Sequence, residues 1–442
     1  MTGIWLFSLS VWLHAQEMTL ADAVEGAMRR HPASEAAQAR IAAAGQRVEQ
    51  ARSGRLPKLN YTESYQRSNN PVFVFSTLLT QRRFAGENFA IGQLNRPDSI
   101  NNFQSLLMVD QTIYDAGMTR RQVESAELGR QLTEEQRRAV ELNLAAGAAR
   151  TYFGVLLAEQ SLGVSRQAVV AAEADLKRAE AIRDAGMSTD ADVLSIRVHL
   201  ASMREQEISR RGDLEVARAA LNEALGAPLD SPRKLTTGLS QLPSIPSGRE
   251  AFENRAAAER PEARESKLAT QLAEKQAELS RAAYYPQISL RGALEADRGQ
   301  FVRQGGVNWL AAVSLRWNLF NGYADRSRIR EAGHALRGAQ SDERHTKSAI
   351  ELQIRKAWAD LSAATERIQV AAASVEEAEE SLRITRNRYE SGLATVTDLL
   401  RNQTARLEAG LRRLSAIHDQ RVAAVMLEFT SGVLTPDSEV LH

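Results

Sequence analysis

Two aspartates, Asp192 and Asp398, are the acidic residues whose spacing has the clearest chemical meaning in this chain. Each follows a threonine by three residues, in Thr189-x-x-Asp192 and in Thr395-x-x-Asp398. This spacing is typical of a helix N-terminus, where a carboxylate lies near the free N–H groups of the first turn. The two motifs therefore predict the starts of two helices, each with a carboxylate in its first turn.

The other reactive residue types give no recognisable site. No two histidines have the spacing of a zinc or copper site, and they stand at positions 14, 31, 199, 334, 345, 418 and 442. The chain has no cysteine, no Gly-rich phosphate loop after a strand and no nucleophile elbow. Because 56 Lys and Arg balance 55 Asp and Glu, no basic excess favours nucleic acid as a partner. The sequence thus predicts no catalytic residues, no metal site and no cofactor.

The elements that would position the two aspartates are written twice in the chain. Residues 114–226 return as residues 320–432 at an offset of 206. An earlier block returns at an offset of 229, with His31-Pro32 matching Arg260-Pro261. The first copy therefore carries 23 extra residues between Pro57 and Tyr114. Such a duplication implies that each copy forms the same supersecondary unit.

Two very long helices are predicted, one in each copy. The stretches 118–185 and 324–390 contain no proline, which would interrupt a helix. Each helix would have about 67 residues and a length of roughly 100 Å. Their apolar residues follow a heptad spacing that favours close helix packing. In the second copy the stripe is Ile350, Ile354, Ala357, Leu361, Ala364, Ile368, Ala371, Val375, Ala378 and Leu382.

Each long helix is expected to end at a glycine, Gly186 or Gly392, because the chain must reverse there. The apolar residues beside these glycines, Met187 and Leu393, have no evident core partner in so short a turn. Shorter helices are expected over 19–53, 190–225, 249–283 and 396–430. We therefore expect two helical hairpins with exposed apolar turns.

Alternating apolar residues predict β-strands between the helices. Odd positions from Val307 to Leu319 are all apolar, whereas most of the even positions are polar. An alternation of about 10–13 residues has the length of a membrane-spanning strand, although a soluble half-buried hairpin would show the same pattern. Trp309 and Trp317 near its two ends are expected to form an aromatic girdle at the two membrane interfaces. The strands of the first copy are weaker, because Glu63 breaks their apolar face.

The predicted strand count bears on assembly. The four strands are expected near 58–70 and 101–115 in the first copy, and within 287–320 in the second. Four strands cannot close a barrel, and an open sheet edge is not stable in lipid. Several chains would therefore have to share one barrel.

The N-terminus carries a short apolar run from Ile4 to Leu13. The run is too short to span a bilayer, so a signal peptide over residues 1–15 is the better interpretation. A hydrophobic terminal helix is the alternative interpretation.

Several motifs of the chain resemble those of the TolC family of outer-membrane efflux proteins. The resemblance covers roughly residues 18–432, and the order of the motifs and their duplication make it specific. The motifs are Met18-Thr19-Leu20-Ala21-Asp22-Ala23-Val24, Arg29-Arg30-His31-Pro32, Ser53-Gly54-Arg55-Leu56-Pro57, Gln111-Thr112-Ile113-Tyr114-Asp115-Ala116-Gly117, Trp317-Asn318-Leu319-Phe320-Asn321-Gly322 and Tyr389-Glu390-Ser391-Gly392.

The resemblance implies a mainly α-helical fold with a membrane β-barrel part. Each chain would give four strands and two long plus four short helices. The domain expectations are a signal peptide over 1–15, a first repeat over 16–226 with its helical hairpin at 118–225, an equatorial linker over 227–248, a second repeat over 249–432 with its helical hairpin at 324–430, and a tail over 433–442.

The resemblance also implies the partners and the role. The chain would form a homotrimer in the bacterial outer membrane, with a helical tunnel that reaches into the periplasm. The hairpin tips would dock on a periplasmic adaptor, which links the channel to an inner-membrane transporter. Substrates of an efflux or type I secretion system would then pass through this subunit passively.

The functional residues implied by the resemblance lie at the hairpin tips. Asp192 and Tyr389 would form a lock between helices, and Asp398 would supply a ring of carboxylates, although helix capping by both aspartates is an alternative. Related channels can carry a second acidic residue one turn after this aspartate, and some carry a basic lock residue shortly after the tip glycine. This chain has Arg401 and Ala394 at these two places, which argues against a cation site. The residues expected to dock the adaptor are Gly186, Met187, Ser188, Gly392, Leu393 and Ala394.

The 23-residue insertion is interpreted as an enlarged loop on the outer side of the membrane. Its apolar segment, from Pro71 to Phe75, is expected to fold against the barrel mouth.

Two other classes of protein compete with a channel. A periplasmic adaptor would normally show one helical hairpin within β-rich domains, not two hairpins at an offset of 206. A structural coiled-coil protein of the envelope would not explain the alternating strands or the signal-like N-terminus.

Overall fold

The computed structural model describes residues 16–243, 248–303 and 305–442, and the signal peptide expected over 1–15 lies outside the described residues. The chain is mostly helical. In chain order, the α-helices are α1 Leu20–Arg30, α2 Pro32–Arg52, α3 Pro71–Thr80, α4 Ile91–Asn95, α5 Met118–Asp184, α6 Asp190–Ala224, α7 Arg249–Glu259, α8 Pro261–Ala282, α9 Ala324–Glu390 and α10 Val396–Ser431. The strands are β1 Gln16–Met18, β2 Lys58–Ser68, β3 Ile100–Tyr114, β4 Arg233–Leu235, β5 Gln287–Arg298 and β6 Gly306–Arg316.

Within the described ranges, none of the helices combines the length and the apolar character needed to cross a bilayer.

Two helices that were expected to be continuous, over 19–53 and 249–283, are each broken at a proline. His31 separates α1 from α2 with a ψ of 135°, and Arg260 separates α7 from α8 with a ψ of 126°. The ring of a proline clashes with a helical conformation of the residue before it, so that residue becomes extended. The expectation of unbroken helices was therefore wrong, and the chain has more short helices than the four expected.

The chain forms two compact units, and each unit takes segments from both copies of the repeat. The first, which we call the strand unit, comprises residues 41–132 and 268–341. The second, the helical unit, comprises the described residues within 16–40, 133–267 and 342–442. The sequence repeat is therefore not the same division as the spatial one.

The strand unit contains one antiparallel sheet in the order β2-β3-β5-β6. Leu107 of β3 pairs with Leu294 of β5, which in turn pairs with Trp309 of β6. Within this unit β2 and β6 are the two edge strands. The hairpin expected to reach residue 320 has its last strand residue at Arg316, so Trp317 lies just beyond the strand.

The register sorts the side chains of this sheet onto two faces. We call the polar face the one that carries the even-numbered residues of β2, β3 and β6 and the odd-numbered residues of β5. It carries Gln104, Asp297 and Asn308, and its Arg291 pairs with Asp110 at 2.7 Å. We call the opposite side the apolar face, and its members include Leu59, Val109, Leu294, Trp309, Val313 and Leu315. One sheet thus presents two chemically different surfaces.

The helical unit contains most of the two helical hairpins, α5–α6 and α9–α10, whose long helices begin in the strand unit. The predicted apolar stripe of α9 is buried at Ile350, Ile354, Ala357, Leu361, Ala364 and Ile368. Tyr152 of α5 is fully buried, and its hydroxyl donates to the Met18 carbonyl and accepts from the Thr237 N–H, both at 3.0 Å. This phenol fastens the short β1–β4 pair to the long helix.

Candidate functional site

The helical hairpins turn at Gly186 and Gly392, where the sequence predicted the long helices to end. Both glycines have a positive φ, 76° and 74°, which non-glycine residues rarely adopt. The Gly186 N–H donates to the Arg183 carbonyl at 2.7 Å, and the Met187 N–H donates to the Ile182 carbonyl at 3.0 Å. The second turn repeats these two hydrogen bonds. This pairing is the Schellman motif, which satisfies the last carbonyl groups of a helix.

The next helix of each hairpin begins with a capping box. Asp192 accepts hydrogen bonds from the Thr189 N–H at 3.2 Å and the Thr189 hydroxyl at 2.9 Å, and Thr189 accepts from the Asp192 N–H in return. Asp398 has the same bonds with Thr395. In both boxes the hydrogen bonds from threonine hold the pKa of the aspartate below its usual range. Helix capping by these carboxylates is therefore present in the structure.

The residues beside the two turns are exposed. Met187 is 75% exposed and Leu393 is 69% exposed, at equivalent places in the two hairpins. Ser188 donates to the Asp192 carboxylate at 3.0 Å, whereas Ala394, its counterpart, has no side-chain donor. The two turns therefore have the same backbone conformation and an exposed apolar residue at the same place, but they differ in polarity at the position of Ser188 and Ala394.

Tyr389 of α9 lies near Asp192 of α6 without a hydrogen bond between them. The Tyr389 ring packs against the small core of Ala179, Val193 and neighbouring residues, and its hydroxyl is buried. Burial, followed by the negative charge of Asp192, raises the pKa of this phenol. The structure thus brings the two halves of the expected lock together, while the carboxylate bonds to its own helix.

Two arginine side chains influence the Asp398 carboxylate. After the Thr395 hydrogen bonds, the charges of Arg401 and Arg388 further lower its pKa. Among the residues that the structure describes, no group of three acidic or histidine side chains is placed to bind a metal ion.

A buried aspartate that the sequence did not single out connects the two hairpins. Asp175 of α5 is 3% exposed, accepts a hydrogen bond from the Gln403 amide of α10 and lies 3.5 Å from the Arg386 guanidinium of α9. Its charge opposes the burial that lowers the pKa of His199 on α6. The available signal was an acidic residue between Ala172 and Ala179 on a stripe of buried positions.

The two tryptophans expected to form an aromatic girdle are both exposed on the strand unit. Trp309 is 78% exposed on the apolar face. Trp317, 55% exposed, donates from its indole N–H to the Tyr284 carbonyl at 3.0 Å. This arrangement leaves an apolar ring outward and satisfies the polar N–H.

A second residue missed in the sequence explains how the apolar face carries Glu63. Arg298 of β5 lies 2.7 Å from the Glu63 carboxylate and donates to the Ser105 hydroxyl at 2.6 Å. The cation comes from the second copy of the repeat. The charge that interrupts the first hairpin is therefore paired on the sheet.

Comparison with known proteins assigns the chain to a family. The model of a family described as "Outer membrane efflux protein" matches residues 23–227 and 253–433. The chain is 23% identical over 438 residues to the alkaline protease secretion protein AprF of Pseudomonas aeruginosa, which covers 97% of this chain and 88% of that protein.

Solved channels share the fold at lower identity. The Campylobacter jejuni CmeC outer membrane channel superposes with a TM-score of 0.80 at 17% identity, over 95% of this chain and 87% of that one. The open state of the Neisseria gonorrhoeae MtrE outer membrane channel gives 0.77 at 18% identity, over 95% and 91% of the two chains. The family and these neighbours are channel proteins rather than enzymes. Because the family model matches most of its length, this chain belongs to the outer membrane efflux protein family and is an outer-membrane channel protein.

Proposed function

We propose that three copies of this chain close one β-barrel in the outer membrane and form a passive conduit. The observation that carries the proposal is the two-faced sheet of the strand unit, whose edge strands β2 and β6 each have one open side among the described residues. An open edge is costly in lipid, so the edge of one copy would pair with the opposite edge of the next. The apolar face would then contact lipid, and the polar face would line the channel.

The helical hairpins supply the periplasmic part of this conduit. Their exposed turns, with Met187 and Leu393 at equivalent places, would dock on a periplasmic adaptor. The adaptor would connect the channel to an inner-membrane transporter, which supplies the energy. Asp192, Tyr389 and Asp398 would hold the periplasmic end closed, with the capping boxes as the framework of that closure.

The exported substrate could be either a small compound or a protein, which gives two versions of this proposal. CmeC and MtrE are outer membrane channels, whereas AprF is a protein of alkaline protease secretion. The match to AprF over nearly the whole chain favours a type I secretion system that exports a protein. Export of a co-expressed protease, compared with resistance to small toxic compounds, separates the two versions.

The full chain purified in mild detergent tests the conduit itself. We expect the mass of a trimer and discrete ion channels in planar bilayers. A monomer that keeps its β-structure would contradict the shared barrel. A trimer that conducts no ions, even after variants loosen its closed end, would contradict the channel.

A further inference from the structure

The segment between β2 and β3, residues 69–99, is folded rather than an open loop. It contains α3 and α4, and Asn70 caps α3 by accepting hydrogen bonds from the Val72 and Phe73 N–H groups. Phe84 packs edge-on against Phe75 and Phe89 at 4.9 and 5.1 Å between ring centroids. We call the whole of this segment, which accounts for the extra length of the first copy, the insertion. The β5–β6 connection at the same end of the sheet spans only residues 299–305.

A buried chain of amides ties the insertion to the sheet. Gln81, 3% exposed, donates from its side chain to the Asn101 carbonyl at 2.8 Å and to the Asn102 side-chain oxygen at 2.9 Å. Asn102 in turn donates to the Asp297 carboxylate of β5 at 2.6 Å. Asn102 is 6% exposed and Asp297 is 1% exposed. Because the side-chain amides of Gln81 and Asn102 are buried and paired, this network holds the insertion at one place on the sheet.

The register identifies the side of the sheet that the insertion covers. Asp297 pairs with Gln104, and Asn102 lies two residues before Gln104, so both side chains point to the polar face. The insertion therefore bends over the polar face and leaves the apolar face, with Trp309 and Val313, uncovered.

Backbone contacts on β6 support the same placement. A Cβ atom on Gly306 would lie 1.8 Å from the Thr80 carbonyl oxygen at the end of α3, so only glycine permits this approach. Gly306 is an even-numbered residue of β6 and thus belongs to the polar face. Arg82, with a φ of 56°, donates from its guanidinium to the Val307 carbonyl at 2.9 Å. The insertion thus reaches from the β2–β3 end across to the far edge strand.

We propose that the insertion narrows the outer exit of the channel and limits the size of what leaves it. This inference rests on the proposed function, in which the polar face lines the conduit. The other end of the sheet joins the long helices, so the insertion lies at the end away from them. Each copy would place α3 inside the mouth, with its Gln81 side on the sheet and Ser76 and Leu79, both exposed, on the opposite side.

Introduced cysteines test the inference, because the native chain has none. Ser76→Cys on α3 is compared with Ala312→Cys on the polar face and Ala311→Cys on the apolar face. A bulky, charged, membrane-impermeant thiol reagent is added to single channels in a planar bilayer. We expect loss of current for Ser76→Cys and Ala312→Cys, and no loss for Ala311→Cys.

The outcomes separate the two levels of the argument. Loss of current at Ala312→Cys but not at Ser76→Cys would overturn the placement of the insertion and leave the channel intact. Equal currents before and after modification at Ala312→Cys and Ser76→Cys would instead overturn the assignment of the polar face to the lumen.

A variant that displaces the insertion gives an independent readout. Gly306→Val removes the space for the Thr80 carbonyl, whereas Gly292→Val, in the same hairpin, adds a side chain where no atom lies within 4 Å of a Cβ. We expect larger single-channel conductance and passage of larger polymers for Gly306→Val, with values for Gly292→Val as in the native chain. Unchanged conductance of a trimeric Gly306→Val channel, in which the insertion has become protease-sensitive, would contradict a constriction.

Discussion

The backbone of Arg260 lies directly against Gly432, the residue that ends α10. A Cβ atom on Gly432 would come within 2.8 Å of the Arg260 Cα, and the Arg260 guanidinium donates to the Thr430 carbonyl at 3.1 Å. In the first copy of the repeat, Gly226 is placed in the same way, because a Cβ atom on it would lie 2.9 Å from the Pro32 Cδ. The break between two short helices is thus the place against which the end of α10, or of α6 in the first copy, packs. We call this packing site the seat. These glycines satisfy both a left-handed turn and a close approach.

Gly432→Ala tests this seat. The left-handed φ of 75° costs alanine about 1–2 kcal/mol, and the contact with Arg260 adds to that cost. We expect a loss of about 2 kcal/mol or more of unfolding free energy, seen as a lower denaturant midpoint. Gly212→Ala in the interior of α6 is the matched control, since a Cβ there meets no atom within 4 Å. This change should be neutral or stabilising by about 0.5–1 kcal/mol, and an equal loss in both variants would contradict the seat.

The helix breaks show how far local sequence reasoning reaches. The apolar stripes of α5 and α9 and the alternation in β6 are local patterns, and the described structure has helices and a strand at those places. The breaks at His31 and Arg260 were missed because the apolar pattern continues across them, although Pro32 and Pro261 were visible signals. For these two helices the preference of proline for an extended predecessor decides.

Long-range partners could not be predicted in the same way. Glu63 is separated from Arg298 by 235 residues, and Asn102 is separated from Asp297 by 195. Their pairing depends on the order β2-β3-β5-β6, which joins the two copies in one sheet. Asp175 and Gln403 likewise meet only because the two hairpins pack together. In each case the sequence shows one polar residue, and the fold supplies its partner.

The two faces of β6 predict unequal effects of arginine. Val313 is 74% exposed on the apolar face, so Val313→Arg near the middle of the membrane should destabilise the assembled barrel by about 2–4 kcal/mol. Ser314→Arg on the polar face should be tolerated, because it would face water. The amount of trimer in outer membranes, together with its resistance to detergent, measures both. Equal trimer levels for the two variants would be inconsistent with the proposed facing.

The exposed hairpin turn should be required for export and dispensable for assembly. Gly392→Asp combined with Leu393→Asp introduces two charges at the turn and an unfavourable φ at a residue with a native value of 74°. We expect loss of export with normal trimer formation and normal outer-membrane localisation. The control is Val370→Asp, which adds a charge at an exposed residue of α9 away from the turn. Normal export by the double variant, with its own adaptor present, would exclude this turn as the docking site.

Loosening the closed end should raise conductance. Asp192→Ala removes the carboxylate that accepts the Thr189 hydrogen bonds of the capping box, and Tyr389→Phe removes a nearby buried hydroxyl. We expect the double variant to show larger or more frequent openings in planar bilayers. Asp22→Ala is the control, because Asp22 belongs to the Thr19 capping box of α1 and not to the tips. If both variants conduct alike, the gating role is wrong and helix capping is the remaining role of Asp192.

His199 predicts a dependence of stability on pH. Burial lowers its pKa from 6.5, although the Asp175 charge and the Gln403 hydrogen bond oppose this shift. The native state therefore binds a proton less readily than the unfolded chain, and stability is complete above about pH 6.5 and falls as the pH drops below it. Thermal midpoints at about pH 7.5 and about pH 5.5 measure the effect. His199→Gln should reduce this difference, whereas His334→Gln, at an exposed residue, should leave it as in the native chain.

The insertion occurs in one hairpin of each chain, whereas the Schellman turn and capping box occur in both. In the proposed trimer, the exit would therefore have strict threefold symmetry. The periplasmic ring would instead alternate between two related docking positions, Met187-Ser188 and Leu393-Ala394. Identical adaptor subunits in a ring would therefore contact neighbouring positions that differ chemically, since Ser188 bonds to its capping aspartate and Ala394 cannot. The stoichiometry of the adaptor would thus depend on whether it tolerates that single difference in polarity, so one hydroxyl would help to set the valency of the whole assembly.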